Sequence, residues 1–267
     1  PRTCSEPPTP IPPCGPVAME RTASGLSIRA DPTERCASTE LLEDDEAAQR
    51  VRDHMATFRR RNPDSKHERI LRSIITPRGA SSVHAESYPL DNDSLESIFS
   101  AVNEIFFNGR LSQRVMWDWS HESSTQYDSR IIGTTALRRA STRGFETLIV
   151  LSSPILGDSN KVYSRRLLIS TFIHELIHSY LFICCGFRAR YCGGHTPGFR
   201  VIAKLIDDWA GPESALYLDK MEADLERFRI HPPEGSREKG VGVGVGHEHQ
   251  HLLRMVDDRG IYPCSGL

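Results

Sequence analysis

Residues 164–187 read SRRLLISTFIHELIHSYLFICCGF, and the fold turns on how that stretch is understood. Ser164 can open a helix, Gly186 can close it, and no proline or glycine interrupts the apolar run between them. A helix is therefore predicted from about Ser164 to Cys185. In its middle stands His174-Glu175-Leu176-Ile177-His178. Side chains four apart share one helix face, so both imidazoles can reach a single ion at the roughly 2.0–2.1 Å expected of Zn–N bonds, with Glu175 beside them to act on water. By composition this pattern arises by chance only about 0.03 times per chain. Thr171, Phe172, Leu176, Ile177 and Leu181 make its surroundings apolar, where three polar groups without a shared partner are costly. Leu167 to Phe187 approaches the length of a bilayer span, but two histidines and a glutamate at its centre would be expensive in lipid. A buried helix is expected, and no membrane.

Downstream, a third metal ligand must be found. Leu181 and Cys184 stand where H-E-x-x-H-x-x-G-x-x-H requires glycine and histidine, which excludes that arrangement. Read from the residues, the candidates are His195, Cys192, Glu213 and Glu222. His195 is favoured because Gly193-Gly194 lets the backbone turn and Thr196-Pro197 opens a helix just after it. A thiolate at Cys192 would suit a structural zinc better than a hydrolytic one. Phe199, Ile202, Leu205, Ile206 and Trp209 form the apolar stripe of the following helix, which ends at Gly211-Pro212. Another helix is predicted from there to His231, with Tyr217, Met221, Leu225 and Phe228 on its buried face. Tyr180, Cys184 and Cys185 are expected in the core.

Upstream, Leu95, Ile98, Phe99, Val102, Ile105 and Phe106 recur at helical spacing behind an Asp93/Glu96 capping signal, and Asn108-Gly109 supplies a stop. Val115–Trp119, Ile131–Leu137 and Thr147–Leu151 then read as three short strands of a small antiparallel sheet. The expected class is α+β, with a packed domain over residues 88–231. Residues 49–87 form a basic helical arm or linker: from Arg50 to Arg78, nine arginines and lysines face only Asp53, Asp64 and Glu68. Net charge is only −2, so any attraction to DNA must come from such a local cluster contacting phosphates. Residues 1–48 are proline-rich and acidic, without an aromatic side chain, and are expected to be disordered. Residues 232–267, with a glycine-valine alternation and His247, His249 and His251, read as a flexible tail. The seven cysteines are odd in number, irregular in spacing and without a C-x-x-C pair, which points to a reducing, intracellular compartment.

The ordered series of elements resembles a known family. The helix with Asn103-Glu104-Ile105-Phe106-Phe107-Asn108-Gly109-Arg110-Leu111, then Val115-Met116-Trp117, Gly133, Leu151-Ser152-Ser153-Pro154, HELIH and His195-Thr196-Pro197-Gly198-Phe199, is similar to the SprT-like zinc metalloprotease domain over roughly residues 88–231. The resemblance implies a zincin-like fold, Zn2+ held by His174, His178 and His195, and Glu175 as catalytic base. It further implies an endoprotease of protein substrates trapped on DNA, and hence a nuclear setting. The cysteine pairs that members of the family commonly carry after this domain do not occur in this sequence. Two rival readings remain: a metallopeptidase of non-DNA substrates, and a non-catalytic zinc-stabilised chromatin or partner-binding module.

Overall fold

The computed structural model describes residues 21–26, 41–76, 90–127, 131–140, 144–158, 162–220 and 225–230. Among these residues six α-helices and three strands appear in the order α1 (Asp44–Arg61), α2 (Lys66–Ile75), α3 (Asn92–Ile105), β1 (Val115–Trp119), β2 (Gly133–Arg139), β3 (Phe145–Leu151), α4 (Ser153–Leu156), α5 (Arg165–Cys185) and α6 (Pro197–Ala210). The class is α+β, as expected.

Helix α5 is the axis of the fold. Its run from Arg165 through Gly194 contains a window long and apolar enough to cross a membrane, yet 94% of that window is buried inside the fold. It packs on β2 and β3 along one side and on α1, α3 and α6 along the others. Two polar threads tie it to its neighbours. Thr147 on β3 donates to Ser179 Oγ at 3.0 Å, with both residues fully buried. Tyr180 stacks on Phe107 at 4.7 Å and donates to the Ala47 carbonyl on α1 at 3.1 Å. Tyr180, Cys184 and Cys185 are core residues, as their apolar neighbours suggested.

The sheet corrects an expectation. Its order is β1-β3-β2; β2 and β3 are antiparallel, but β1 runs parallel to β3, pairing Val115 with Thr147 through Trp119 with Leu151. Strand propensity says nothing about which edge a segment joins, and the connection between β1 and β2 carries the chain across the sheet instead of turning back as a hairpin. Helix α3 begins one turn before Leu95, capped by Asp91, whose carboxylate accepts from Ser94 N at 2.8 Å. The helix stops at Ile105, and the following turn is organised by buried Asn103, which accepts from Leu111 N at 2.9 Å and donates to Ser112.

The packed body does not begin near residue 88. Ala47, Ala48, Val51 and Phe58 of α1 and Leu71 and Ile75 of α2 are all buried in the main core. Helix α1 lies on α6 and α5, while α2 lies on α3. A boundary at 48/49 would cut α1 in its second turn. The arm's basic composition hid this, because burial needs only one apolar face and the arginines occupy the others. Within the segment expected to be disordered, residues 21–26 also dock: Ala23 N–H donates to the Trp119 carbonyl, and Ser24 to the Asp118 carboxylate. The remainder of 1–40 and the tail 232–267 lie outside the described residues.

Among the described residues no regular helix follows α6. One turn at Pro212–Ser214 gives way to left-handed backbone at Ala215 and Tyr217, and a second turn forms at Leu225–Phe228. Of the four residues expected on the buried face of a helix there, Phe228 is buried, Tyr217 and Leu225 are half-buried and Met221 lies outside the described residues, while Leu216 and Leu218 are buried instead.

Candidate metal centre

His174 and His178 project from adjacent turns of α5 and are almost wholly buried. After α5 the chain makes tight turns over Gly186–Gly194, where Cys192, Gly193 and Gly194 take φ of 55°, 64° and 85°. Three successive left-handed residues fold the chain back over α5, and His195 emerges at the turn's end. Gly194 is obligatory, because a Cβ there would stand 2.8 Å from His178 Cε1.

The three imidazoles meet through one atom each. His174 Nε2 lies 3.1 Å from His178 Nε2 and 3.1 Å from His195 Nε2. Its other nitrogen, Nδ1, is 3.2 Å from the Leu218 carbonyl, which can only accept, so Nδ1 carries the proton and Nε2 presents a bare lone pair. One lone pair cannot accept hydrogen bonds from two neighbours at once. A shared cation satisfies all three nitrogens. Zn–N bonds of about 2.0–2.1 Å in a tetrahedron place nitrogens about 3.3 Å apart, close to the spacing found. These are the three residues whose donor atoms cluster within 4.8 Å.

Electrostatics favour the same occupant. Burial, reinforced by the charge of neighbouring imidazoles, holds His174 and His178 well below the ordinary histidine value; burial and then Arg200 hold His195 down to about 4. All three are neutral at physiological pH, as metal ligation requires. Phe199, on the first turn of α6, closes one side, its ring 4.7, 4.5 and 4.9 Å from those of His174, His178 and His195.

Glu175, the residue after His174 on α5, meets β2. Thr135 Oγ1 donates to its Oε2, and the same Thr135 hydroxyl lies 3.2 Å from the Glu175 backbone carbonyl. Gly133 gives it room, since a Cβ there would come within 2.8 Å of Glu175 Oε1. A carboxylate held against the sheet thus stands one residue along α5 from a member of the convergent donor set, an arrangement suited to moving a proton beside a polarised carbonyl.

The competing third ligands are not in this cluster: Cys192 is exposed on the turn, Glu213 lies in the turn after α6, and Glu222 is outside the described residues. Sequence reasoning left Thr135, Phe199, Leu218 and Asp207 without a role at the site. Asp207 accepts from Leu218 N at 3.0 and 3.2 Å, which positions the carbonyl that receives the His174 proton. Only Gly133, a glycine opening a β-rich run, carried a signal of close approach.

No curated protein and no solved structure matches the chain. The model of the SprT-like family matches residues 95–222, a span that contains the whole sheet, α5 and the three converging histidines, and over that span the chain is similar to the SprT-like family, whose domain is of the metalloprotease type.

Proposed function

We propose that the protein is a zinc-dependent endoprotease of zincin-like fold that cleaves DNA-associated or DNA-crosslinked proteins inside the nucleus. The convergence of three imidazole Nε2 atoms next to a sheet-anchored glutamate carries this reading. His174, His178 and His195 would hold the ion. Zinc bound there would supply Lewis acidity towards a peptide carbonyl and make water a stronger acid. Glu175 takes a proton from water and passes it to the leaving amine, while the Thr135 hydroxyl holds its carboxylate in place. Replacing Glu175 by Gln should abolish proteolysis and leave zinc content intact; undiminished cleavage by that variant would exclude the proposed base and favour a zinc-stabilised binding module.

The DNA-linked substrate class rests on the family and on the basic arm from Arg50 to Arg78. Arg59, Arg60, Arg61, Lys66 and Arg69 are exposed around the α1–α2 turn, with Asp64 the acidic partner of Arg69 at 3.6 Å. Arg50 and Arg72 are engaged with Glu46 and with Glu68 and Trp209, and Arg78 lies outside the described residues. Contacts to phosphate from this turn would be sequence-independent and salt-sensitive. Single-stranded or duplex DNA should stimulate cleavage, less so as salt rises. Cleavage indifferent to DNA would assign non-DNA substrates.

A further inference from the structure

The third histidine sits on a turn between two helices, and a short turn does not by itself hold an imidazole to a fraction of an ångström. The fold holds this one from outside the family region. Asp44, in the first turn of α1, accepts from the Thr196 hydroxyl at 2.6 Å and from the Gly198 N–H. Thr196 adjoins His195 and caps α6, its hydroxyl oxygen accepting from Phe199 N at 3.3 Å. Pro197 has no N–H, so Asp44 and Thr196 together take up the first donors of α6, where a negative charge is also favoured. The fit leaves no slack: a Cβ on Gly198 would lie 2.5 Å from the Asp44 carbonyl and 2.6 Å from its carboxylate. Further contacts tie the same segment to the end of α5 and the turn beyond it: Leu42 N donates to the Cys184 carbonyl, and Glu43 pairs with Arg188.

We infer that Asp44 is a positioning residue for the metal centre, bracing the His195–Phe199 segment so that His195 reaches the other two imidazoles. The inference rests on the proposed reading of His195 as a ligand. Residues 41–61 are thereby part of the working domain, although the family match begins at residue 95.

The test uses the full chain and reads zinc affinity by competition with a chromophoric chelator, the visible spectrum of the Co2+-loaded protein, thermal melting of the metal-free protein, and peptide cleavage. Asp44→Ala should weaken zinc binding roughly 10- to 100-fold, the usual effect of removing an outer partner of a ligand, and should alter the Co2+ spectrum. Asp44→Asn, which can still accept from Gly198 N–H, should fall between it and the unsubstituted chain and covers the case in which the alanine variant fails to fold. Val51→Ala, a buried α1 position away from the turn, should lower the melting temperature with zinc affinity within twofold of the original. His195→Ala separates the two claims. If His195→Ala loses zinc while Asp44→Ala and Asp44→Asn keep full affinity and spectrum, the bracing role is overturned and the metal centre stands. Should Val51→Ala weaken zinc as much as Asp44→Ala, the effect is general destabilisation and the inference likewise fails. Undiminished zinc binding by His195→Ala would instead overturn the reading of the site.

Discussion

Gly133→Ala adds one methyl group between the sheet and the carboxylate of Glu175. Its Cβ would stand 2.8 Å from both Glu175 Oε1 and Thr171 Cγ2 and 3.2 Å from Glu175 Cγ. Ordinary contact begins near 3.4 Å, so the carboxylate must retreat by roughly 0.6 Å or the strand must bow outwards. Helix α5 cannot yield, being packed on every side, and β2 is paired with β3 at this very residue, Gly133 opposite Leu151. Overpacking of this kind costs about 1–3 kcal/mol, offset by about 0.4–1 kcal/mol from the stiffer unfolded chain. A net loss near 1 kcal/mol lowers the melting temperature by about 2–4 °C in a domain of this size. The catalytic effect should be larger. Misplacing a reacting group by about 1 Å can cost about 10²-fold, so a 0.6 Å displacement of the base should reduce kcat by about 10- to 100-fold. The added methyl presses on Glu175 and Thr171 and not on the three histidines, so zinc stoichiometry and KM should hold. Peptide hydrolysis, metal analysis and a thermal melt on one preparation decide the matter. A variant with full kcat, or one that loses zinc in step with activity, would refute the placement of Glu175 against β2.

Three further outcomes follow from the site. Asp207→Ala removes the acceptor of Leu218 N and frees the carbonyl that holds His174 Nδ1; zinc affinity should fall about 10-fold, and a chelator titration giving an unchanged constant would dismiss that connection. Phe199→Leu leaves the three imidazoles without their aromatic wall, and zinc should dissociate several-fold faster with little loss of fold, as stopped-flow chelator kinetics would register. Metal-free protein should lose stability as pH falls from about 6.5 towards 4: the unfolded chain takes up protons near 6.5, whereas the folded histidines resist until His195 yields at about 4. On the order of 3 kcal/mol accrues from His195 alone by the lower end, and nothing from these groups above 6.5. Asp207, pushed up to about 6 by burial, acts in the opposite sense over part of this range, one carboxyl against three imidazoles. Melts showing constant stability between pH 7 and 5, or saturating zinc that fails to protect, would contradict the buried, neutral cluster.

How much of this could be read from residues alone differs between elements. Helix α5 was legible because a long uninterrupted apolar run with a glycine stop admits few alternatives, and α6 because Thr196-Pro197 is a strong start. The α1 arm was misread for a definable reason. Its charges dominate composition, while burial depends on the spacing of four residues, Ala47, Ala48, Val51 and Phe58, two of them alanines that contribute little to any hydropathy average. The missing helix after Gly211 shows tertiary hydrogen bonds overriding a 3.6-residue period. Leu218 gives its N–H to Asp207 and its carbonyl to His174, and a residue so engaged on both sides cannot also serve a helix ladder.

The same distinction runs through the site. His174 and His178 were recoverable because their spacing is a property of one helix, and His195 because glycines and a helix start flank it. Thr135, Asp207 and Asp44 come from β2, α6 and α1, at sequence separations of 40, 11 and 154 residues from Glu175, Leu218 and Gly198, and no local pattern links members of those pairs. What they share is physical. Each supplies a hydrogen-bonding oxygen to a segment that bears a proposed ligand or base, or to the loop that orients one. The motif therefore names the atoms that would touch the ion, while the long-range hydrogen-bond partners set how well those atoms are aimed. If that division holds, substitutions at Asp44 and Asp207 should change metal affinity without removing a ligand, and substitutions at Gly133 should change turnover without changing the metal.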